Sequence, residues 1–162
     1  MWVLWLLLGV VVVSFSFVLL YGAPYLPTLR PQITAALDLL DLQEGQTMLE
    51  LGCGDGRVLR AAAARGWQCV GYELNPILAG IAWLRTRRYK GRVHIVWGDY
   101  WRKSWPDAEG IFAFILPKYM AKLDKKITQE TGKPVKLVSF AFKITNRKPK
   151  EQRDGVLLYE YK

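Results

Sequence analysis

Seven consecutive residues, Glu50-Leu51-Gly52-Cys53-Gly54-Asp55-Gly56, carry the densest chemical signal in the sequence. Glycine lacks a Cβ, so three glycines at alternate positions let the backbone turn tightly and come close to a ligand. They follow Thr47-Met48-Leu49-Glu50-Leu51, which reads as a short buried strand, and precede a predicted helix from about Arg57 to Arg65. A helix that starts there turns unpaired N–H groups towards the loop. In an open α/β sheet, ligands bind at the carboxyl ends of the strands, where the strand order reverses. A second acid, Glu73, stands at the end of the next predicted strand, Gln68 to Leu74, and is placed to accept hydrogen bonds from both hydroxyls of a ribose.

A dinucleotide site shares part of this logic, but its fingerprint is G-x-G-x-x-G around a pyrophosphate. Here the spacing is G-x-G-x-G, and Glu50 lies two residues before the first glycine. That carboxylate would repel a pyrophosphate. It would attract the cationic α-amino group of a methionine moiety, directly or through water. The pair of differences points to S-adenosylmethionine (S-adenosyl-L-methionine) as the ligand. The bland alternative is a glycine turn that binds nothing.

Two further strand ends hold candidates. Gly98-Asp99-Tyr100-Trp101 closes a third strand, with Asp99 placed to reach an adenine amino group and Tyr100 or Trp101 near the ring. The competing reading is a solvated loop with a core aromatic. Leu116-Pro117-Lys118-Tyr119 closes a fourth strand, where methyl acceptors meet the sulfonium in such folds. Pro117 stiffens the turn and the Leu116 carbonyl could orient an acceptor amine, so Leu116, Pro117 and Tyr119 are the catalytic candidates. Equally, the proline simply starts a helix. His94, the lone histidine, is expected to be a packed strand residue. Cys53 and Cys69 fit neither metal-ligand nor disulfide spacing, so no metal is expected.

These residues need positioning by alternating elements. Helices are predicted over Ile33 to Leu42, Arg57 to Arg65, Pro76 to Arg88 and Lys118 to Thr128. Strands are predicted at Arg92 to Gly98, Gly110 to Leu116, Lys136 to Phe142 and Gly155 to Tyr161, besides the first two. Asn146 to Gly155 reads as a charged hairpin connection. The alternation implies a Rossmann-like α/β fold with a mainly parallel sheet and an antiparallel C-terminal strand.

The bulk composition bounds the setting. The 162 residues suffice for one domain, and the net charge is +9. From Trp2 to Tyr21 the sequence is apolar and uncharged, and no charged side chain precedes Arg30. A helix of about 20 residues crosses a bilayer core of roughly 30 Å. Trp2, Trp5 and Tyr21 suit the aromatic belts at its two faces. A single-pass membrane anchor at residues 1–22 is therefore expected, ahead of a signal peptide or a core helix. A proline-rich pre-motif segment with a helix follows at 23–45, then the cofactor-binding domain at 46–162. Arg and Lys downstream of the anchor predict that the domain faces the cytoplasm or an organelle matrix. The same positive charge suits anionic lipid, nucleic acid or acidic partners.

LELGCGDGRVL, GYELNP, GDYW and the upstream YLPT together resemble the small membrane-anchored lysine methyltransferases that modify the ATP synthase c-subunit and the adenine nucleotide translocase in mitochondria, a family with prokaryotic relatives. The resemblance implies that Glu50, Gly52, Gly54, Glu73 and Asp99 contact S-adenosylmethionine and that Tyr25 to Thr28 helps close the site. Cys53, Asp55, Leu74, Asn75 and Tyr100, beside them in the same motifs, complete the expected cofactor-binding set with Thr28. It further implies protein-lysine N-methylation of a membrane-protein partner. A lipid or quinone-like acceptor and a non-catalytic cofactor-binding protein are the alternatives. RNA methylation is disfavoured, because no N/D-P-P-Y/F tetrapeptide follows the fourth strand.

Overall fold

The computed structural model describes residues 1–6, 8, 9, 12, 13 and 26–162. Its sheet has seven strands: β1 (Thr47–Leu51), β2 (Gln68–Glu73), β3 (Val93–Trp97), β4 (Gly110–Ala113), β5 (Val135–Phe140), β6 (Glu151–Arg153) and β7 (Val156–Tyr161). The order is β3-β2-β1-β4-β5-β7-β6. The first five are parallel; β7 runs antiparallel to both β5 and β6. Four α-helices are described alongside it: α1 (Arg30–Leu40), α2 (Arg57–Ala64), α3 (Pro76–Thr86) and α4 (Met120–Glu130).

Strand side chains alternate between the two faces of the sheet. Met48, Phe112, Val138 and Leu158 join the core shared with α1, α2 and α3. Leu49, Ile111, Leu137 and Leu157 join the core under α4. The helices bury matching stripes: Ile33, Ala36, Leu37 and Leu40 on α1, and Met120, Leu123 and Ile127 on α4. Proline near the first turn starts α1 and α3. The last turn of α1 is secured from the sheet, since the Lys136 ammonium donates to the Leu40 carbonyl at 2.7 Å.

Three expectations change. The charged connection at 146–155 contains β6, whose Glu151, Gln152 and Arg153 are all exposed, so this outermost strand has no apolar face to betray it. The turn into β7 is Asp154-Gly155, with φ of 50° and 78°, the left-handed pair that a two-residue hairpin demands. His94 is exposed on the edge strand β3, not packed. The helix after β4 starts later than predicted, because Pro117–Tyr119 form a 3₁₀ turn ahead of α4.

Among the described residues no helix is long and apolar enough to cross a membrane. The expected anchor falls largely outside the described residues, as does Tyr25 of the expected closing segment.

The sheet requires one glycine for space alone. A Cβ on Gly71 in β2 would lie 2.4 Å from Leu59 Cδ1 and 2.9 Å from Cys53 Cβ. Gly71→Ala should therefore force α2 off the sheet and lower the unfolding free energy by about 1–3 kcal/mol, measured by denaturant titration. An unchanged midpoint would show that this contact yields without cost.

Candidate functional site

Parallel pairing of β3, β2, β1 and β4 puts their carboxyl ends along one edge of the sheet. Asp99 and Tyr100, then Glu73 to Asn75, then Glu50 to Asp55, then Leu116 to Tyr119 follow one another across that edge. The chain reverses its winding between β1 and β4, which makes a crevice there.

The glycine loop is built by backbone geometry. Gly52, Gly54 and Gly56 have φ of 81°, 53° and 75°, values that side-chain-bearing residues rarely adopt. The Gly52 and Cys53 N–H groups both donate to the Tyr72 carbonyl, at 2.9 and 2.8 Å. Among the described residues nothing lies within 4 Å of where a Gly52 Cβ would stand, which leaves open space beside the loop. At Gly56 the contrast is sharp: a Cβ would lie 3.1 Å from Ala82 Cα, so the third glycine lets α2 pack tightly against α3.

Glu73 clasps this loop. Its Oε2 accepts the Gly54 N–H at 2.8 Å and its Oε1 accepts the Asn75 N–H at 2.8 Å. Asn75 in turn caps α3, its Oδ1 accepting from Ile77 and Leu78 N–H at 2.9 and 3.3 Å. Burial raises the Glu73 carboxyl, and the surrounding N–H groups partly offset it. A carboxylate oxygen accepts more than one hydrogen bond, so both oxygens keep capacity for ribose hydroxyls.

Glu50 is 3% exposed and lies on the face of β1 beneath α2. Burial pushes its carboxyl well above the ordinary value, the Leu59 N–H opposes that, and the charges of Glu73 and Asp55 add to it. Among the described residues its Oε2 has no hydrogen-bond partner. An orphaned buried carboxylate oxygen costs free energy until a donor or cation meets it. The open space at Gly52, the acceptor pair on Glu73 and this orphaned oxygen all suit a ligand with a ribose and a cationic amino acid end. The residues present therefore fit S-adenosylmethionine.

Asp55, the third acid of this corner, carries ion pairs. Its carboxylate is paired with Arg57 at 2.9 Å and with Arg85 of α3. Burial alone would raise its pKa, but the hydrogen bonds and charge of Arg57 and the charge of Arg85 outweigh it and hold the carboxyl below its usual range. Arg57 Nη1 also donates to the Thr28 carbonyl at 3.3 Å, which ties the pre-motif segment to the loop. Thr28 itself is buried. The Cys53 side chain packs against Gly71 inside the core, and burial raises its thiol pKa. Only its backbone belongs to the loop.

Asp99 Oδ1 accepts the Trp101 N–H at 2.8 Å. Trp101 bridges the two sides of the crevice: its ring lies 4.8 Å from Tyr100 and 5.8 Å from Tyr119. Burial, then the Asp99 charge, raises the Tyr100 hydroxyl pKa. The Leu116 carbonyl accepts the Tyr119 N–H at 2.9 Å, leaving one lone pair. Phe114, just after β4, and Phe140, the last residue of β5, have ring centroids 4.6 Å apart, and the Phe142 ring lies 6.3 Å from that of Phe114. Arg57, Arg85 and Trp97 were not picked out from sequence. Trp97 is 66% exposed and its Nε1 donates to the Leu74 carbonyl at 3.1 Å. Arg57 had a local signal, two residues after Asp55; Arg85 had none, because only the packing of α3 on α2 brings it near.

This fold with this site is that of the class I S-adenosylmethionine-dependent methyltransferase domains. A model of the ANTKMT methyltransferase domain matches residues 50–151, and the chain belongs to that family. The lysine N-methyltransferase of the ATP synthase c-subunit from Xenopus laevis is 32% identical over 130 residues, 78% of this chain and 56% of that protein. A protein-lysine N-methyltransferase of Saccharolobus islandicus is 29% identical over 132 residues, 79% of this chain and 82% of that one. An RNA methyltransferase from Salinibacter ruber, solved with S-adenosylhomocysteine, superposes with a TM-score of 0.76 at 26% identity, covering 84% of this chain and 92% of that one. The chain spans about half the length of the ATP synthase c-subunit methyltransferases it matches.

The raised Glu50 carboxyl sets a pH dependence. An unfolded glutamate titrates at about 4.3. The folded group holds its proton to higher pH, so it favours folding below about 4.3, and that advantage is lost as pH rises through the raised value. Glu50→Gln should melt at a higher temperature than the wild type near pH 8 without ligand, and the gap should close as pH falls. A gap independent of pH in calorimetric melts would contradict the burial of a titrating carboxyl here.

Proposed function

We propose that this chain transfers a methyl group from S-adenosylmethionine to the Nε of a lysine on a membrane protein. Residues 1–22 anchor it to the bilayer and the domain faces the cytoplasm or an organelle matrix. What carries the reading is that relatives as distant as the Xenopus and Saccharolobus proteins are both lysine N-methyltransferases. The anchor is supported by the apolar run from Trp2 to Tyr21 and by the exposure of Trp2 and Trp5, at 76% and 70%.

When bound, S-adenosylmethionine supplies a methyl group on positively charged sulfur. The chain's own residues hold and orient. Glu73 accepts the ribose hydroxyls, Glu50 faces the methionine ammonium, and the loop from Gly52 to Gly56 lies along the ligand without Cβ atoms in the way. Asp99 and Tyr100 sit at the adenine end. Thr28, held through Arg57, covers the loop from the other side. At the acceptor end, Leu116 offers its free carbonyl lone pair to an amine, on a turn stiffened by Pro117, with Tyr119 alongside. A lysine must lose its proton before it can attack. The half-buried rings of Phe114, Phe140 and Phe142 lower its pKa by desolvation. Alignment of acceptor and methyl supplies the rest, with an effective-molarity gain of roughly 7–11 kcal/mol.

One observation favours a second reading. The Salinibacter structure is an RNA methyltransferase, and a charge of +9 suits a phosphate backbone.

Membranes incubated with the full chain and radiolabelled cofactor decide between them. Label should enter a small membrane protein at lysine. Glu73→Ala removes a charged acceptor worth about 1.5–3 kcal/mol, so it should weaken cofactor affinity by roughly ten- to hundredfold. Label appearing in RNA or lipid instead of protein overturns the lysine assignment.

A further inference from the structure

The outer face of α3 is unusual for a helix in water. From Pro76 to Leu84, every residue on its solvent side is apolar or glycine: Ile81 is 38% exposed, Trp83 63% and Leu84 53%. A water-facing helix normally carries polar residues there. Three arginines follow at once, Arg85, Arg87 and Arg88. Arg85 is tied to Asp55 and the Arg88 guanidinium lies over the Tyr89 ring at 4.8 Å, whereas no carboxylate among the described residues pairs with Arg87. Tryptophan and aliphatic residues bordered by arginine are the composition of surfaces that settle into the headgroup region of a bilayer.

The position of this face is as telling as its content. The Thr28 carbonyl, Arg57, Asp55 and Arg85 form one chain of contacts. The point at which the N-terminal segment joins the domain is thus only two side chains from the last turn of α3. Leu26 and Leu29, beside that point, are 61% and 62% exposed. Ile81, Trp83, Leu84, Leu26, Leu29 and Trp97 are all the large apolar residues exposed between residues 26 and 162.

We propose that α3 is a second membrane-contact element: Ile81, Trp83 and Leu84 enter the interfacial layer and Arg87 and Arg88 meet anionic headgroups. The anchor then becomes one of two attachments, and the carboxyl edge of the sheet is held at a fixed tilt to the bilayer rather than swinging on a tether. This rests on the membrane location proposed above. The tilt would decide which lysines reach Leu116, namely those close to the membrane surface.

Site-directed spin labelling of the full chain tests it. Cys53 and Cys69 are both buried, so an introduced surface thiol reacts selectively. Gly80→Cys places the label on the α3 face with no atom of the described residues within 4 Å of the new Cβ and leaves every apolar residue in place. Thr128→Cys, exposed on α4 across the sheet, is the reference. In phosphatidylcholine vesicles containing phosphatidylglycerol, the label at 80 should be open to oxygen and shielded from a water-soluble nickel complex, while the label at 128 stays open to nickel. W83D/L84D should return the label at 80 to water without changing the melting temperature, since both side chains are exposed. Flotation of the vesicles separates the two ideas. A chain that floats but shows a nickel-accessible label at 80 keeps its anchor and loses this proposal; a chain that does not float loses both. Spin–spin broadening at 80 that disappears on dilution with unlabelled chain would assign the face to a second copy and likewise overturn the membrane contact.

Discussion

The Glu73 carboxylate accepts Gly54 N–H and Asn75 N–H at the same 2.8 Å, one through each oxygen. That two-handed contact couples three things that sequence keeps apart: the turn leaving β1, the end of β2 and the cap of α3. The glycine loop has positive φ at three alternate positions, and its side chains anchor it only at Cys53, in the core, and at Asp55, between two arginines. Its shape follows from where its N–H groups find acceptors: Gly56 bonds the Cys53 carbonyl within the loop, while Gly52, Cys53 and Gly54 bond the Tyr72 carbonyl and the Glu73 carboxylate of β2. The parallel register of Glu50 with Gly71 and Leu51 with Tyr72 delivers them to the right height. The close approach of α2 that this requires is possible because Gly71 leaves room for Leu59.

Three carboxylates crowd this corner, and they are treated differently. Asp55 is neutralised by two arginines and becomes a fastener between the pre-motif segment, the loop and α3. Glu73 is bonded to backbone N–H groups, and Glu50 keeps an oxygen without a partner among the described residues. Among the described residues no cation pairs with either of these two acids, and burial raises both carboxyls, so it is a bound cation that would favour their charged forms. A cationic ligand gains there what a pyrophosphate would lose, and this is the electrostatic basis on which one glycine-loop site prefers a sulfonium cofactor to a dinucleotide.

The elements that the structure brings together around the glycine loop were legible in the sequence because they are local. Strand, acid, glycine loop and helix are contiguous, and the second acid follows within one βαβ unit. Asp55 was placed among the ligand-binding residues because it sits in the motif, but its pairing with Arg85 depends on helix packing that no local pattern encodes. Strand β6 escaped notice since an exposed edge strand has no alternation of apolar and polar residues, although Asp154-Gly155 was a usable hairpin signal. His94 misled for a related reason: in an apolar run on an edge strand, one face has no layer to cover it. The aromatic cluster of Tyr100, Trp101 and Tyr119 was the least legible as a cluster, because these residues come together only through the sheet order β3-β2-β1-β4.

The polar edge strand has a bearing on how the molecule coexists with its own copies. A sheet ends in unpaired N–H and C=O groups, and a second chain can extend it there. At β6 such growth would press a neighbouring strand against Glu151, Gln152 and Arg153, all exposed and two of them charged. It would also have to follow a ribbon twisted by the tight turn at Asp154-Gly155. The sheet thus carries its own terminator at the end remote from the crevice, so crowding many copies into a small area does not convert them into a continuous β-ribbon through that end.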